Sequence, residues 1–307
     1  TKSGSNEFEG GFFYDYTNDS LRGDELEGEK LATGEFTEKR YGFNVGGAII
    51  QDKLFFFTSY EKLEGSDLFD RGTADSNAAV KVEGLSQADY DEILDISRNV
   101  YGYEPGDLIT SLPVEDEKIM AKLDWIINES HRAALVYNYN EGNAIRESDG
   151  DSNEFEFSNH YYDQVAEFES LVGSWYADWT DDFSTEVRIG MADFEQNVTP
   201  LAGTDFGEVQ IRTQNDGARA TVYLGADDSR HSNRLTYDTT TAKIAGTYLL
   251  GDHIISGGYE YEKLDVFNLF VQHTEGEFRF DSIEDFRNGE AARVYYYNAN
   301  GTNNPND

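Results

Sequence analysis

The sequence predicts an all-β chain: a transmembrane, antiparallel, up-and-down β-barrel wall with short helices in its long loops. Three observations lead there. Apolar and polar residues alternate in repeated runs, as they do when a strand has one oily face. The connections between those runs alternate between very short and very long. The acid is sorted as well: 60 Asp and Glu against 24 Lys and Arg give a net charge of −36, yet the apolar rows hold almost none of it.

The alternation is read element by element. In residues 7–17, Phe8, Gly10, Phe12, Tyr14 and Tyr16 share a face. In 40–50 the row is Tyr41, Phe43, Val45, Gly47 and Ile49, and in 54–62 it is Leu54, Phe56, Thr58 and Tyr60. Residues 118–128 carry Ile119, Ala121, Leu123, Trp125 and Ile127, and 132–140 carry Ala133, Leu135, Tyr137 and Tyr139. Next come Leu171, Gly173, Trp175, Ala177 and Trp179, then Phe183, Thr185, Val187, Ile189 and Met191. Ile244, Gly246, Tyr248 and Leu250 form one more row, and Ile255, Gly257, Tyr259 and Tyr261 another. A last strand is expected over 291–298, through Val294 and Tyr296. The total is about ten strands, each near the ~9–11 residues that cross a bilayer at a tilt.

Alternation alone would also suit a soluble sandwich, which buries one face of each sheet. The connections separate the two. Residues 51–52, 129–130, 180–182 and 251–252 are hairpin-length. Between them lie 18–39, 63–116, 142–161, 195–233 and 272–290, far longer than the usual loop of about 4–6 residues. In a meander, alternate connections emerge at one end, so all the long ones share a rim, the geometry of membrane barrels. Acidic stretches such as 24–29, 147–151 and 226–228 fall in those long connections. Trp125, Trp175 and Trp179 sit near the short-turn ends of their strands, where an aromatic girdle would meet the membrane interface.

Composition excludes several classes. There is no Cys, hence no disulfide, thiolate metal site or Cys nucleophile. The negative charge argues against nucleic-acid binding, which needs clustered Lys and Arg. The abundance of Phe and Tyr, 20 of each, argues against disorder. No apolar run approaches the ~18 residues of a membrane helix. With no signal peptide ahead of Thr1, a mature or truncated piece is expected.

The long connections show local order. Ser86 is placed to cap a helix reaching about Tyr101, with Ile93, Leu94, Ile96 and Val100 on one stripe and Gly102 beyond its end. A shorter helix follows Asp281-Ser282 and stops at Gly289, and 207–212 with 219–224 reads as a hairpin. No catalytic, cofactor or metal residues are assigned. The five His are expected at the surface, none at ligand spacing from another, and no nucleophile–base pair is readable, so the chain is expected not to be an enzyme. Asp149-Gly150-Asp151-Ser152-Asn153 has the start of an EF-hand spacing. Glu154 at the sixth place and His160 at the twelfth exclude one, leaving diffuse divalent binding by acidic loops open.

Several segments resemble a known family. Thr1-Lys2-Ser3-Gly4-Ser5-Asn6-Glu7-Phe8-Glu9-Gly10 resembles the junction where TonB-dependent receptors leave the plug and enter the first barrel strand. It is followed by Asn18-Asp19-Ser20-Leu21. The run GGAIIQDKLFFF at 46–57 resembles the GGPIIKDKLFFF pattern of the Oar-like branch, with Ala48 where that branch has Pro. Residues 101–106, 123–125, 131–132, 227–230 and 267–270 are similar to the same branch. The resemblance implies residues 1–307 as the N-terminal portion of a 22-stranded barrel of the Gram-negative outer membrane, with plug domain, TonB box and C-terminal strands outside this chain. It implies energised import of an extracellular ligand, with outer-membrane lipid and the TonB-ExbB-ExbD complex as partners. Long loops would then be extracellular and short turns periplasmic. A passive porin-like or structural barrel is the first alternative, and a secreted acidic β-sandwich adhesin the second. A complete protein of this length would be a small ten-stranded barrel.

Overall fold

The computed structural model describes residues 2–30, 35–68 and 71–297. In chain order the strands are β1 (Glu9–Asn18), β2 (Glu25–Leu26), β3 (Glu29–Lys30), β4 (Thr37–Ile50), β5 (Leu54–Leu68), β6 (Arg71–Thr73), β7 (Val80–Val82), β8 (Ser111–Asn128) and β9 (His131–Arg146). Then come β10 (Glu154–Glu156), β11 (Tyr162–Thr180), β12 (Phe183–Pro200), β13 (Glu208–Asn215), β14 (Ala218–Leu224), β15 (Ser232–Leu250), β16 (His253–Val271), β17 (Glu277–Phe280) and β18 (Arg293–Tyr295). Helix α1 (Gln87–Asn99) precedes β8 and α2 (Ile283–Asn288) follows β17.

Nine of the described strands form one antiparallel meander in the order β1-β4-β5-β8-β9-β11-β12-β15-β16. Cross-strand register joins the separate apolar rows into one sheet face. Phe12 lies opposite Phe43, Phe43 opposite Tyr60, Tyr60 opposite Ile119 and Ile119 opposite Tyr139. Further round, Leu171 faces Met191, Val187 faces Ile244 and Ile244 faces Tyr259. These side chains are not stacked on a second sheet: Phe12 is 75% and Ile189 54% exposed. A sandwich would bury them, so the wall is a single layer with an outward oily face. Its edges are β1 and β16.

Two expectations are corrected. Apart from β1, which has 10 residues, the wall strands are longer than a bilayer crossing, from 14 residues in β4 to 19 in β11, β15 and β16. They continue past the oily band with a charged outer row, Lys62 opposite Glu117, then Glu141, Glu167 and Glu195. Polar residues at these outward positions hid the extra turns of the ladder from a pattern that seeks oil on one face. The expected tenth strand over 291–298 is also not a wall strand. Arg293–Tyr295 pairs with β17 instead, and Asn298 lies outside the described residues.

The short turns hold as expected. Asp52 and Gly251 take positive φ, 61° and 58°, the left-handed geometry that tight hairpins need. Tryptophans 125, 175 and 179 lie on the oily face near this rim. Trp125 and Trp179 are about half exposed, and Trp179 Nε1 donates to Thr185 Oγ1 at 2.9 Å.

The conventional core is in the long loops. The second sheet has the order β10-β14-β13-β17-β18 and mixes parallel with antiparallel pairs. It draws on the connections after β9 and β12 and on the segment after β16. Val82, Leu85, Ile93, Ile96, Phe155, Phe157, Val209, Ile211, Val222, Leu224 and Phe286 are buried there in one cluster. Each such side chain removed from water contributes about 1.5–3 kcal/mol. Helix α1 begins as expected: Ser86 Oγ accepts from Asp89 N at 3.1 Å. Helix α2 is capped by Ser282 and ends at Gly289, φ 70°. Tyr90 of α1 stacks on Phe157 at 5.1 Å, and Tyr101 stacks on Phe286 at 4.8 Å. Gly84 lets the chain ahead of α1 touch β14, since a Cβ there would meet the Arg219 carbonyl carbon at 2.2 Å. The loops therefore form a folded cap on one rim of the wall.

Candidate functional site

The face of the wall opposite the oily one is wet and paired. Arg40 contacts Glu61 at 2.8 Å, Lys122 contacts Asp124 at 2.9 Å, and Arg188 contacts Glu186 at 3.2 Å. Lys243 lies 3.4 Å from Glu186, and Lys118 pairs with Asp116. Strict alternation puts all of these on the inner face. A cleft of about 600 Å³ opens there, lined by Arg40, Glu61, Asp116, Lys118, Arg146 and Gln164 among others. Charges of both signs alternate along it, so it offers water and hydrogen bonds rather than a filter for one charge. Phe13 and Arg40 meet over this face at 5.7 Å, and Phe194 stacks on Tyr237 at 4.8 Å.

The chain reaches β1 along the same inner face. Ser3 Oγ accepts from Lys122 Nζ at 2.6 Å. Asn6 exchanges two hydrogen bonds with Asp52 in the first short turn, at 2.6 and 2.8 Å. Gly4 lies so close to β4 and β5 that a Cβ would meet Phe56 O at 2.2 Å.

The cap holds a second constellation, which the sequence did not reveal. His160, expected at the surface, is fully buried. Its Nδ1 faces Gly225 O at 3.0 Å, and its Nε2 faces Asp149 Oδ2 at 3.0 Å and Asp227 Oδ2 at 3.8 Å. Glu208, also buried, completes a group whose ligand-capable atoms all lie within 4.8 Å of one another. Burial alone would lower the His160 pKa, but the hydrogen bond with Asp149 and the charges of Glu156, Glu208 and Asp227 push it up to about 10. Burial pushes Glu208 up to about 8 and Glu156 up to about 7, against the opposing pull of His160. Asp227 is likewise raised by burial. For Asp149 burial acts upward too, but the His160 contact outweighs it and holds the carboxyl below its usual range.

The other histidines divide. His273 Nδ1 lies 2.8 Å from Asp228 and 3.2 Å from Glu277 in a neighbouring group. His231 Nε2 meets Ala226 O at 2.9 Å, and burial lowers its pKa. His131 stacks on Trp175 at 5.7 Å at the short-turn rim, and His253 is exposed there. Only the 149–160 spacing within one loop hinted at the cap group; its other members arrive from a different loop.

An oily outer face, a wet inner face and folded loops on one rim define a wall of a transmembrane β-barrel. Similarities to known proteins agree. A family model described as an outer membrane beta barrel domain matches residues 1–71. Among solved structures, the outer membrane transporter YddB from Escherichia coli superposes with TM-score 0.54 at 10% identity, covering 90% of this chain and 33% of that one. This chain thus spans about a third of that transporter's length. The CymD monoaromatic hydrocarbon channel (11% identity, 75% and 60% of the two chains) and the Pseudomonas putida toluene transporter TodX (12%, 83% and 64%) overlay at TM-scores of only 0.27 and 0.26. No curated protein matches. The wall sits in the cell outer membrane, its oily face against lipid.

Proposed function

We propose that this chain is the N-terminal wall and loop cap of a TonB-dependent transporter, which imports an extracellular ligand when the TonB-ExbB-ExbD complex acts on a plug preceding residue 1. The observation that carries the reading is the path of residues 2–8. They approach β1 across the inner face, held by Lys122 and Asp52, as a chain descending from a domain inside the lumen would. The resemblance of 1–10 and 46–57 to plug-to-barrel junctions supports the same route. The cap supplies a folded receptor surface, and the paired inner face a hydrated wall beside the ligand's path. The role is non-enzymatic: binding and passage, with no bond made or broken by this chain.

The test is nutrient accumulation in cells carrying the intact gene, with and without TonB, alongside conductance of the native protein in planar bilayers. Gene-dependent accumulation that disappears without TonB, with no standing conductance, is the expected outcome. Uptake unchanged by TonB loss, or a stable open pore, would assign a passive channel instead.

A further inference from the structure

We propose that the cap contains a structural binding site for a zinc-class divalent metal ion, held by His160, Asp149, Asp227 and Glu208. Four features of the geometry lead there. First, the group unites one imidazole nitrogen and three carboxylates, with ligand-capable atoms all within 4.8 Å of one another, the compass of a single coordination sphere. Second, each donor is already oriented from behind. His160 Nδ1 donates to Gly225 O, which turns Nε2 toward the carboxylates. Glu208 accepts from Gln210 Nε2 at 2.6 Å and from Asp228 N at 2.7 Å. Asp227 Oδ1 accepts from Ser229 N at 2.8 Å, leaving Oδ2 for the centre. The turn carrying Asp149 is fixed by Glu156, which accepts from the backbone nitrogens of Ser148 and Asp149. Metal sites have this outer shell: a ligating histidine donates its other nitrogen to a carbonyl, and ligating carboxylates are themselves hydrogen-bonded.

Third, His160, Glu208 and Asp227 are at most 2% exposed, and Glu156 beside them 4%. Three buried carboxylates and Asp149 converge on one imidazole, with Arg230 touching only the Asp227 edge at 3.9 Å. Buried carboxylates are neutralised by protons or by a cation, and one divalent ion displaces the protons of several at once. Fourth, Asp149 alone is part-exposed, at 36% of its side chain, which gives the ion a way in.

The donor set selects the ion. Calcium and magnesium take oxygen ligands, and a fully buried imidazole in the first sphere is foreign to both. With no thiolate present, nitrogen plus carboxylate suits zinc and neighbouring borderline ions. Asp149 and His160 come from the connection after β9, while Glu208 and Asp227 come from the one after β12. An ion here clamps two loops of the cap to each other. The inference stands apart from the transport reading, since it concerns the cap of the purified protein.

The experiment uses the full chain, purified in detergent, stripped with EDTA and titrated calorimetrically with ZnCl2, MnCl2 and CaCl2, with limited proteolysis of the cap as a second readout. One saturable equivalent of Zn2+ is expected, calcium binding at least tenfold weaker, and slower cleavage of residues 147–161 and 201–231 with zinc. His160→Gln and the rim substitution Asp149→Asn should each weaken zinc binding at least tenfold, while His253→Ala, at a short turn, leaves it unchanged. Asp149 is part-exposed, so its variant tests the site even where the His160 variant does not fold. Absence of a saturable zinc equivalent, zinc binding unaltered in Asp149→Asn, or calcium binding as tight as zinc would each overturn the proposal.

Discussion

A cation placed in the oily band should cost far more than the same cation placed on the other side of the sheet. Ile189 is 54% exposed on the outer face of β12 and lies opposite Gly173 and Ala242. An arginine there would find small neighbours and no carboxylate. Ile189 is six positions along the strand from Phe183, where β12 leaves its short turn. At ~3.3 Å per residue and a tilt of ~40°, it stands ~15 Å above that turn, near the centre of a ~30 Å hydrocarbon layer. Ile189→Arg should therefore lose about 2–4 kcal/mol, a shift of roughly 30- to 1,000-fold in the unfolding equilibrium. Thr241→Arg is the matched control. It lies on the inner face, opposite Gly190 and Glu262, so the new guanidinium meets water and a carboxylate. Its cost should stay within about 0.5 kcal/mol. Denaturant unfolding of the protein in lipid vesicles measures both. Equal losses, or a larger loss for Thr241→Arg, would refute the assignment of faces and with it the membrane wall.

Two other outcomes follow from the cap. Phe157→Ala, which opens a cavity beneath Tyr90 and Phe155, should cost the cap about 3–5 kcal/mol, seen as faster proteolysis of 147–161 and 201–231 while the wall's heat-resistant β signal persists. In EDTA-stripped protein the cap should loosen as pH rises. Glu208, raised to about 8, and His160, raised to about 10, each bind a proton more firmly folded than unfolded. Their contribution is whole at about pH 4.5 and falls through pH 8 for Glu208, and falls from about 6.5 through 10 for His160. Asp149, Glu156 and Asp227 face the same centre and share the titration, with the Arg230 guanidinium at the Asp227 edge. Near-ultraviolet circular dichroism at pH 5, 7 and 9 follows it; a cap that tightens toward pH 9 would reverse the sign.

The wall was legible because its physics is local. A period of two, read from Tyr41 to Ile49 or from Leu171 to Trp179, needs no knowledge of distant partners, and the short turns between rows fix which strand follows which. The helix caps at Ser86 and Ser282 were legible for the same reason. The cap sheet was legible only in its central hairpin, expected over 207–212 and 219–224 and found as β13 and β14. Its strands β10 and β17 are three and four residues long, too short for a period to show. They join β14 and β13 in parallel, with no hairpin to announce them. The buried group around His160 is assembled by that sheet, so its chemistry was hidden with it. Val294 and Tyr296 looked like a further lipid-facing row because an exposed cap edge can be as apolar as one.

The division between an uncored wall and a cored cap means that one polypeptide depends on two different solvents. Losing lipid removes what shelters the outer rows, yet leaves Phe155, Phe157 and Ile211 enclosed by protein. Agents that weaken water's expulsion of oil strike the cap first, while a surviving bilayer still holds the staves upright. Damage to either half should therefore be recognisable by which medium it makes the molecule unable to tolerate.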